Sequence, residues 1–199
     1  MNRLLGAFSL ALPLWCQCAF AQVIVFESNG LKYQTLTKSG VTIMYAHLPP
    51  RIHQYSILQA AVTNGSGGPY VVRPENFAYV RETSEVRAVP AKTVIQMLAQ
   101  KGNGSDAIKL VTAYENWISG IPNYHATSGF EFRRQSAIGM GASKLRSAAA
   151  AGAIAFDYTK LAPTESTDGA VFFPSEGKPL AGGRLVVRTN TDVFQFNEE

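Results

Sequence analysis

Cysteine is nearly absent from this chain, with two residues, Cys16 and Cys18, among 199. Both fall within an N-terminal segment patterned for removal. Arg3 precedes an apolar run from Leu4 to Trp15, and the segment closes on Ala19-Phe20-Ala21, the small-x-small pattern that signal peptidase cuts. The expectation is cleavage after Ala21, a mature chain from Gln22 onward, and no disulfide in the product. Neither cysteine follows a small residue, since Trp15 and Gln17 precede them, which argues against a lipid anchor. No later run approaches the ~20 apolar residues of a membrane helix, so no stable membrane insertion is expected after cleavage. Export without disulfides suits a bacterial envelope protein, periplasmic or extracellular.

Dense positive charge is also missing. The residues from Gln22 onward carry 17 basic against 14 acidic side chains, a net charge of +3. No lysine and arginine cluster interleaved with aromatics is present, which excludes a nucleic-acid surface. The chain has no H-E-x-x-H run, no Gly-x-Ser-x-Gly elbow and no P-loop lysine, so the common hydrolase and nucleotide-binding signatures fail. With 46% hydrophobic and 16% charged residues, the composition is that of a folded globular chain.

Strand patterns dominate the first part. Val23 to Phe26, Leu31 to Thr37 and Val41 to Leu48 are apolar or alternating runs split by Ser28-Asn29-Gly30 and Lys38-Ser39-Gly40, turns that tolerate positive φ. Pro49-Pro50 is expected to stop pairing, because proline donates no ladder hydrogen bond. Ser56 to Thr63, Tyr70 to Val72 and Phe77 to Val80 complete this half. From Pro90 the period lengthens to about 3.6. One helix runs behind Pro90 with Val94, Ile95 and Leu98 on a face. A second follows, capped by Ser105, with the stripe Ala107, Val111, Tyr114 and Ile118. A third is expected from about Gly129 to Ile138 and a fourth from Ser143 to about Ala155. Strands return at Phe156 to Leu161, Ala170 to Phe173, Arg184 to Arg188 and Val193 to Phe196. In the last of these, Phe194 and Phe196 share a face. The pattern reads as a mainly β chain with an α insertion: one antiparallel β-sandwich domain over 22–199, interrupted by helices at about 89–156. The ends of that insertion should lie close together, and excision should leave a β-rich product of lowered stability.

Two segments carry a resemblance. Leu161-Ala-Pro163-Thr-Glu165-Ser166-Thr-Asp168-Gly169-Ala-Val171-Phe172-Phe173, and Ala60-Ala-Val62-Thr-Asn64-Gly-Ser66 with Pro74 and Phe77, resemble segments of exported bacterial immunoglobulin-like domains of uncharacterised function. Thr164 stands where that pattern most often has glycine. The resemblance implies an immunoglobulin-like sandwich and assigns no chemistry, because such scaffolds host adhesion, assembly and spacing alike.

His47, His53 and His125 could meet at zinc only by converging with an acid, and loop histidines need no special explanation. Ser175-Glu-Gly-Lys178 matches Ser-x-x-Lys but lies in a Pro- and Gly-rich loop. Gly139-Met-Gly141-Ala-Ser143 reads as a helix break with Ser143 as cap. Arg133, Arg134, Lys144 and Arg146 read as a solvated helical face. Asp157, Glu165 and Asp168 could serve glycoside cleavage only across a cleft, and Asp168-Gly169 is better explained as a turn. No catalytic, cofactor-binding or metal residue is assigned. The expected function is non-catalytic binding or scaffolding of an envelope protein, with the helical insertion carrying specificity. The alternative is a glycan or small-ligand groove using Tyr114, Trp117, Tyr124, Phe130 and Phe132 as aromatic faces. An enzyme of unrecognised type is the least favoured reading.

Overall fold

The computed structural model describes residues 22–82, 84–121 and 143–198. Its first four strands form a meander: β1 (Ile24–Ser28), β2 (Leu31–Lys38), β3 (Val41–Ile52) and β4 (Tyr55–Asn64). Asn29-Gly30 and Ser39-Gly40 make the first two turns. All four residues have positive φ (49°, 71°, 52° and 80°), the geometry that fits a two-residue turn to the twist of its flanking strands. Pairing does not stop at the two prolines as expected. β3 runs on to Ile52, and a register shift between Leu48 and Ile52 absorbs the missing donors.

The chain continues through β5 (Tyr70–Val72), β6 (Phe77–Arg81) and β7 (Ser84–Arg87), then α1 (Ala91–Lys101), α2 (Gly104–Ser119) and α3 (Ser143–Ile154). It closes with β8 (Thr159–Leu161), β9 (Ser166–Pro174), β10 (Arg184–Arg188) and β11 (Val193–Gln195). A helix expected at Gly129 to Ile138 lies outside the described residues. The strands form a five-stranded antiparallel sheet ordered β1-β2-β3-β4-β9, a four-stranded sheet ordered β11-β10-β6-β7, and the pair β5-β8. β7 was not anticipated, because Ser84-Glu-Val-Arg87 offers only one apolar residue. Its Glu85 accepts from Arg87 at 2.8 Å and from Arg188 of β10 at 3.1 Å. The Arg87 hydrogen bond holds the Glu85 carboxyl below its usual range, with burial opposing and Arg188 assisting.

Two apolar clusters flank the five-stranded sheet. On one face, Ile43, Tyr45, Leu58, Val62 and Val171 meet Phe77, Tyr79, Leu185, Val187 and Phe194 of the four-stranded sheet. Phe194 and Phe196 both enter this cluster, as their shared parity requires. On the other face, Tyr33, Leu48, Ile57 and Phe172 meet Val94, Leu98, Leu110, Tyr114 and Trp117 of the helices. β4 and β9 are therefore buried on both faces, which removes the polar alternation of a half-exposed strand.

The helices sit close to the sheet and to each other. Asn103, not Ser105, caps α2. Its side chain accepts from Asp106 N at 3.1 Å while Asp106 Oδ2 accepts from Asn103 N at 3.0 Å, a reciprocal box that satisfies two orphan donors. Ala107 and Tyr114 face the sheet as expected, whereas Leu110 and Trp117 take the buried places and Val111 and Ile118 are half-buried. The alanines of α3 let it pack against both other helices and the sheet. Tyr33 donates to the Trp117 carbonyl at 2.9 Å, tying β2 to the end of α2, and burial pushes its hydroxyl pKa up.

The two segments of the resemblance lie side by side, since β4 pairs with β9 from Tyr55 opposite Pro174 to Thr63 opposite Ser166. Asn64 joins their ends. Its Nδ2 donates to the carbonyls of Gly68 and Leu161, its Oδ1 accepts from Ser66 N, and its backbone carbonyl accepts from Thr164 N at 2.6 Å. Thr164 itself has φ 71°, left-handed backbone that a β-branched residue adopts only under strain. Thr164→Gly is accordingly expected to raise stability by about 1 kcal/mol, the strain relieved less the chain entropy glycine gains when unfolded. Urea denaturation measures it, and an unchanged or lowered midpoint would contradict the strain.

Candidate functional site

Three stretches remote in sequence build one cleft. Lys32 comes from the start of β2, His47 and Arg51 from the far half of β3, and Leu180 from the loop between β9 and β10. Parity places Lys32 and His47 on the face of the sheet turned away from the helices, the same face as Ser56 at the start of β4. The volume is about 420 Å³. Leu180 and the prolines Pro49 and Pro179 supply apolar walls, while Leu31, Leu48 and Ile57 border the cleft with their side chains turned to the helices. The ring of His47 stands edge-on to Tyr45 and to Tyr79, with centroids 5.9 and 6.0 Å away, so the imidazole is packed between the two sheets.

The loop that roofs the cleft is pinned. Ser175-Glu176-Gly177-Lys178 is a tight turn whose central residues have φ 52° and 76°, with Lys178 N donating to Ser175 O at 2.8 Å. Ser56 Oγ contacts Ser175 Oγ at 2.8 Å and donates to the Lys178 carbonyl at 2.8 Å. Arg51 donates to the carbonyl of Gly177, and Arg81 to that of Pro179 at 3.1 Å. The Ser-x-x-Lys match thus sits in a turn, where Ser175 anchors a loop.

A second polar group lies beneath the helices. Asp168 on β9 is 4% exposed, and its Oδ2 accepts from Tyr114 at 2.6 Å and from Gln59 at 3.2 Å. Reading Asp168-Gly169 as a turn is therefore wrong. Both residues are interior to β9, Asp168 as the helix-facing acceptor and Gly169 because the backbone of Phe156 crosses directly against it. The other carboxylates do local work: Glu165 Oε2 accepts from Ala162 N at 2.8 Å, and Asp157 Oδ1 from Tyr158 N at 2.7 Å. No pair of them faces across the cleft, since none lines it.

Compared with protein-family models, characterised proteins and solved structures, the chain matches none.

The histidines part company. His47 lines the cleft, whereas His53, at the β3–β4 turn, pairs with Asp106 of α2 at 3.1 Å. His125 lies outside the described residues, as do Arg133, Arg134, Gly139, Gly141, Tyr124, Phe130 and Phe132. Among the described residues no three His, Cys, Asp or Glu side chains stand close enough to share a metal ion. Tyr114 and Trp117 are buried in the helix-facing cluster, so neither presents an open ring to a sugar. Lys32 and Arg51 were missed. Nothing local marks them, because the cleft exists only once β2, β3 and the β9–β10 loop have come together.

One further surface stands open. Among the described residues β1 is an edge strand hydrogen-bonded only to β2, and its Ile24 and Val25 are 61% and 42% exposed. The opposite edge, β9, is covered by bridges from Val89 to Phe172 and from Ala155 to Ala170. Among the described residues no helix is long and apolar enough to cross a membrane.

Proposed function

We propose that the chain is an exported, non-catalytic immunoglobulin-like β-sandwich module that binds another protein of the cell envelope by accepting a strand at β1. The observation carrying this reading is the asymmetry of the five-stranded sheet, one edge closed by Val89 and Ala155 and the other, among the described residues, left unpaired with Ile24 and Val25 exposed. An edge strand offers a row of unpaired backbone donors and acceptors, and proteins without a use for it blunt it with charge, proline or a bulge. β1 carries one charge, Glu27, and neither proline nor bulge, and adding a partner strand beside Ile24 and Val25 would pair the backbone and cover part of both side chains. The immunoglobulin-like assignment draws its support from the two resembling segments, which pair as β4 and β9, and from the apolar cluster shared by both large sheets. The helical layer, proposed from sequence as the bearer of specificity, spends its buried stripe on the sheet and keeps Ile108 and Leu145 exposed.

Site-specific photo-crosslinking in intact cells separates the two surfaces. A crosslinker at Val25 is expected to trap a discrete envelope protein that Ile24→Lys abolishes, while one at Ile108 traps none. Adducts from Ile108 alone would move the binding surface to the helices, and none from either position would defeat the reading.

A further inference from the structure

We propose that the cleft between β2, β3, β4 and the β9–β10 loop binds a small organic anion, a short apolar body ending in a single oxyanion. The proposal does not depend on strand addition at β1.

Charge is the first argument. Two permanent cations, Lys32 and Arg51, and one imidazole, His47, line the cleft, and no carboxylate does. Lys32 has no hydrogen bond or ion pair with any described residue. Arg51 gives one donor to the Gly177 carbonyl and retains the rest of its guanidinium fork. The acidic residues nearest along the chain are otherwise placed. Glu176 lies 3.7 Å from Lys178, and Glu27, though opposite Lys32 in the β1–β2 register, is exposed and does not line the cleft. An anion entering here meets two cations and no lining carboxylate.

Shape and stiffness are the second. At about 420 Å³ the cleft lies within the range of small-molecule sites, which typically pair apolar walls with a few placed polar groups. Leu180 and the prolines Pro49 and Pro179 provide the apolar walls, so a bare inorganic ion would leave most of the space unused, while a neutral hydrocarbon would leave the cations unanswered. The hydrogen bonds from Ser56, Arg51 and Arg81 fix the roof before any ligand arrives, which spares binding the entropy of ordering a loop. Arg51 acts in both roles, holding the roof and facing the ligand head, where its planar fork suits carboxylate or phosphate oxygens.

Isothermal titration of the chain from Gln22 onward with octanoate, octyl phosphate and octanol tests this. Binding is expected from at least one of the two anions and to be at least about tenfold weaker for octanol, as charge-assisted hydrogen bonds to a head group dictate. Whichever anion binds more tightly identifies the head as carboxylate or phosphate. Lys32→Ala removes an exposed side chain with no described partner, so its fold should persist by thermal melting while anion affinity falls about tenfold. Arg51→Lys keeps the charge but loses the fork, and should weaken both anions. Three results would overturn the proposal: no anion bound, octanol bound as tightly as octanoate, or unchanged affinity in Lys32→Ala.

Discussion

Gly169→Ala is expected to destabilise the protein by at least about 3 kcal/mol, beyond the usual cost of one added methyl group because nothing near it can move aside. A Cβ at this position would stand 2.4 Å from Phe156 N, 2.5 Å from Phe156 Cα and 2.7 Å from the Ala155 carbonyl carbon, all backbone atoms. Those same atoms hold the chain leaving α3 against β9, through the Phe156 N to Ala170 O bond of 2.9 Å and the Ala155–Ala170 bridge. Displacing them disturbs both clusters at once. Ala155 belongs to the helix-facing cluster, while Phe156 is buried in the cluster between the sheets, edge-on to Phe77 at 5.3 Å. A large fall in the urea midpoint is the expected measurement. Gly68→Ala is the control: a Cβ there meets nothing within 4 Å, so a change within about 0.5 kcal/mol is expected. Equal, small effects at both positions would mean that the crossing at Gly169 is looser than its geometry.

What was legible in the sequence followed from local chemistry. Asn29-Gly30 and Ser39-Gly40 announce their turns because few other residue types accept positive φ at both positions. Pro90 opens the first helix for an equally local reason. Misreadings came where long-range structure overrode local preference. Pro49-Pro50 looked like a stop, yet a register shift carries β3 past it. Ser166-Thr-Asp-Gly169 has turn composition, but Asp168 Oδ2 accepts from Tyr114 and Gln59 inside the sheet–helix layer, and Gly169 answers a backbone contact that no local pattern encodes. The cleft was the least visible feature, since Lys32 and Arg51 are ordinary strand residues until Leu180 and the turn at Gly177 fold over them.

Replacing residues 90–154 with a short flexible linker is expected to yield a protein that aggregates or loses cooperative unfolding, against the folded β-rich product of lowered stability that the sequence suggested. Geometry does not stand in the way. Val89 bridges Phe172 and Ala155 bridges Ala170, two residues apart on β9, so the insertion's ends are close as expected and closing the loop costs little. The obstacle is the face laid bare. Tyr33, Leu48, Ile57 and Phe172 on the sheet would lose Val94, Leu98, Leu110, Tyr114 and Trp117. At about 1.5–3 kcal/mol for each buried large side chain, the five helical residues alone represent on the order of 10 kcal/mol, comparable to the whole stability of a typical domain. Asp168 Oδ2 would also lose the hydrogen bond from the Tyr114 hydroxyl. Size-exclusion chromatography, near-ultraviolet circular dichroism and dye binding measure the outcome. A monomer with a sharp urea transition would establish that the cluster between the sheets is sufficient by itself, and would return the helices to the role of a removable insertion.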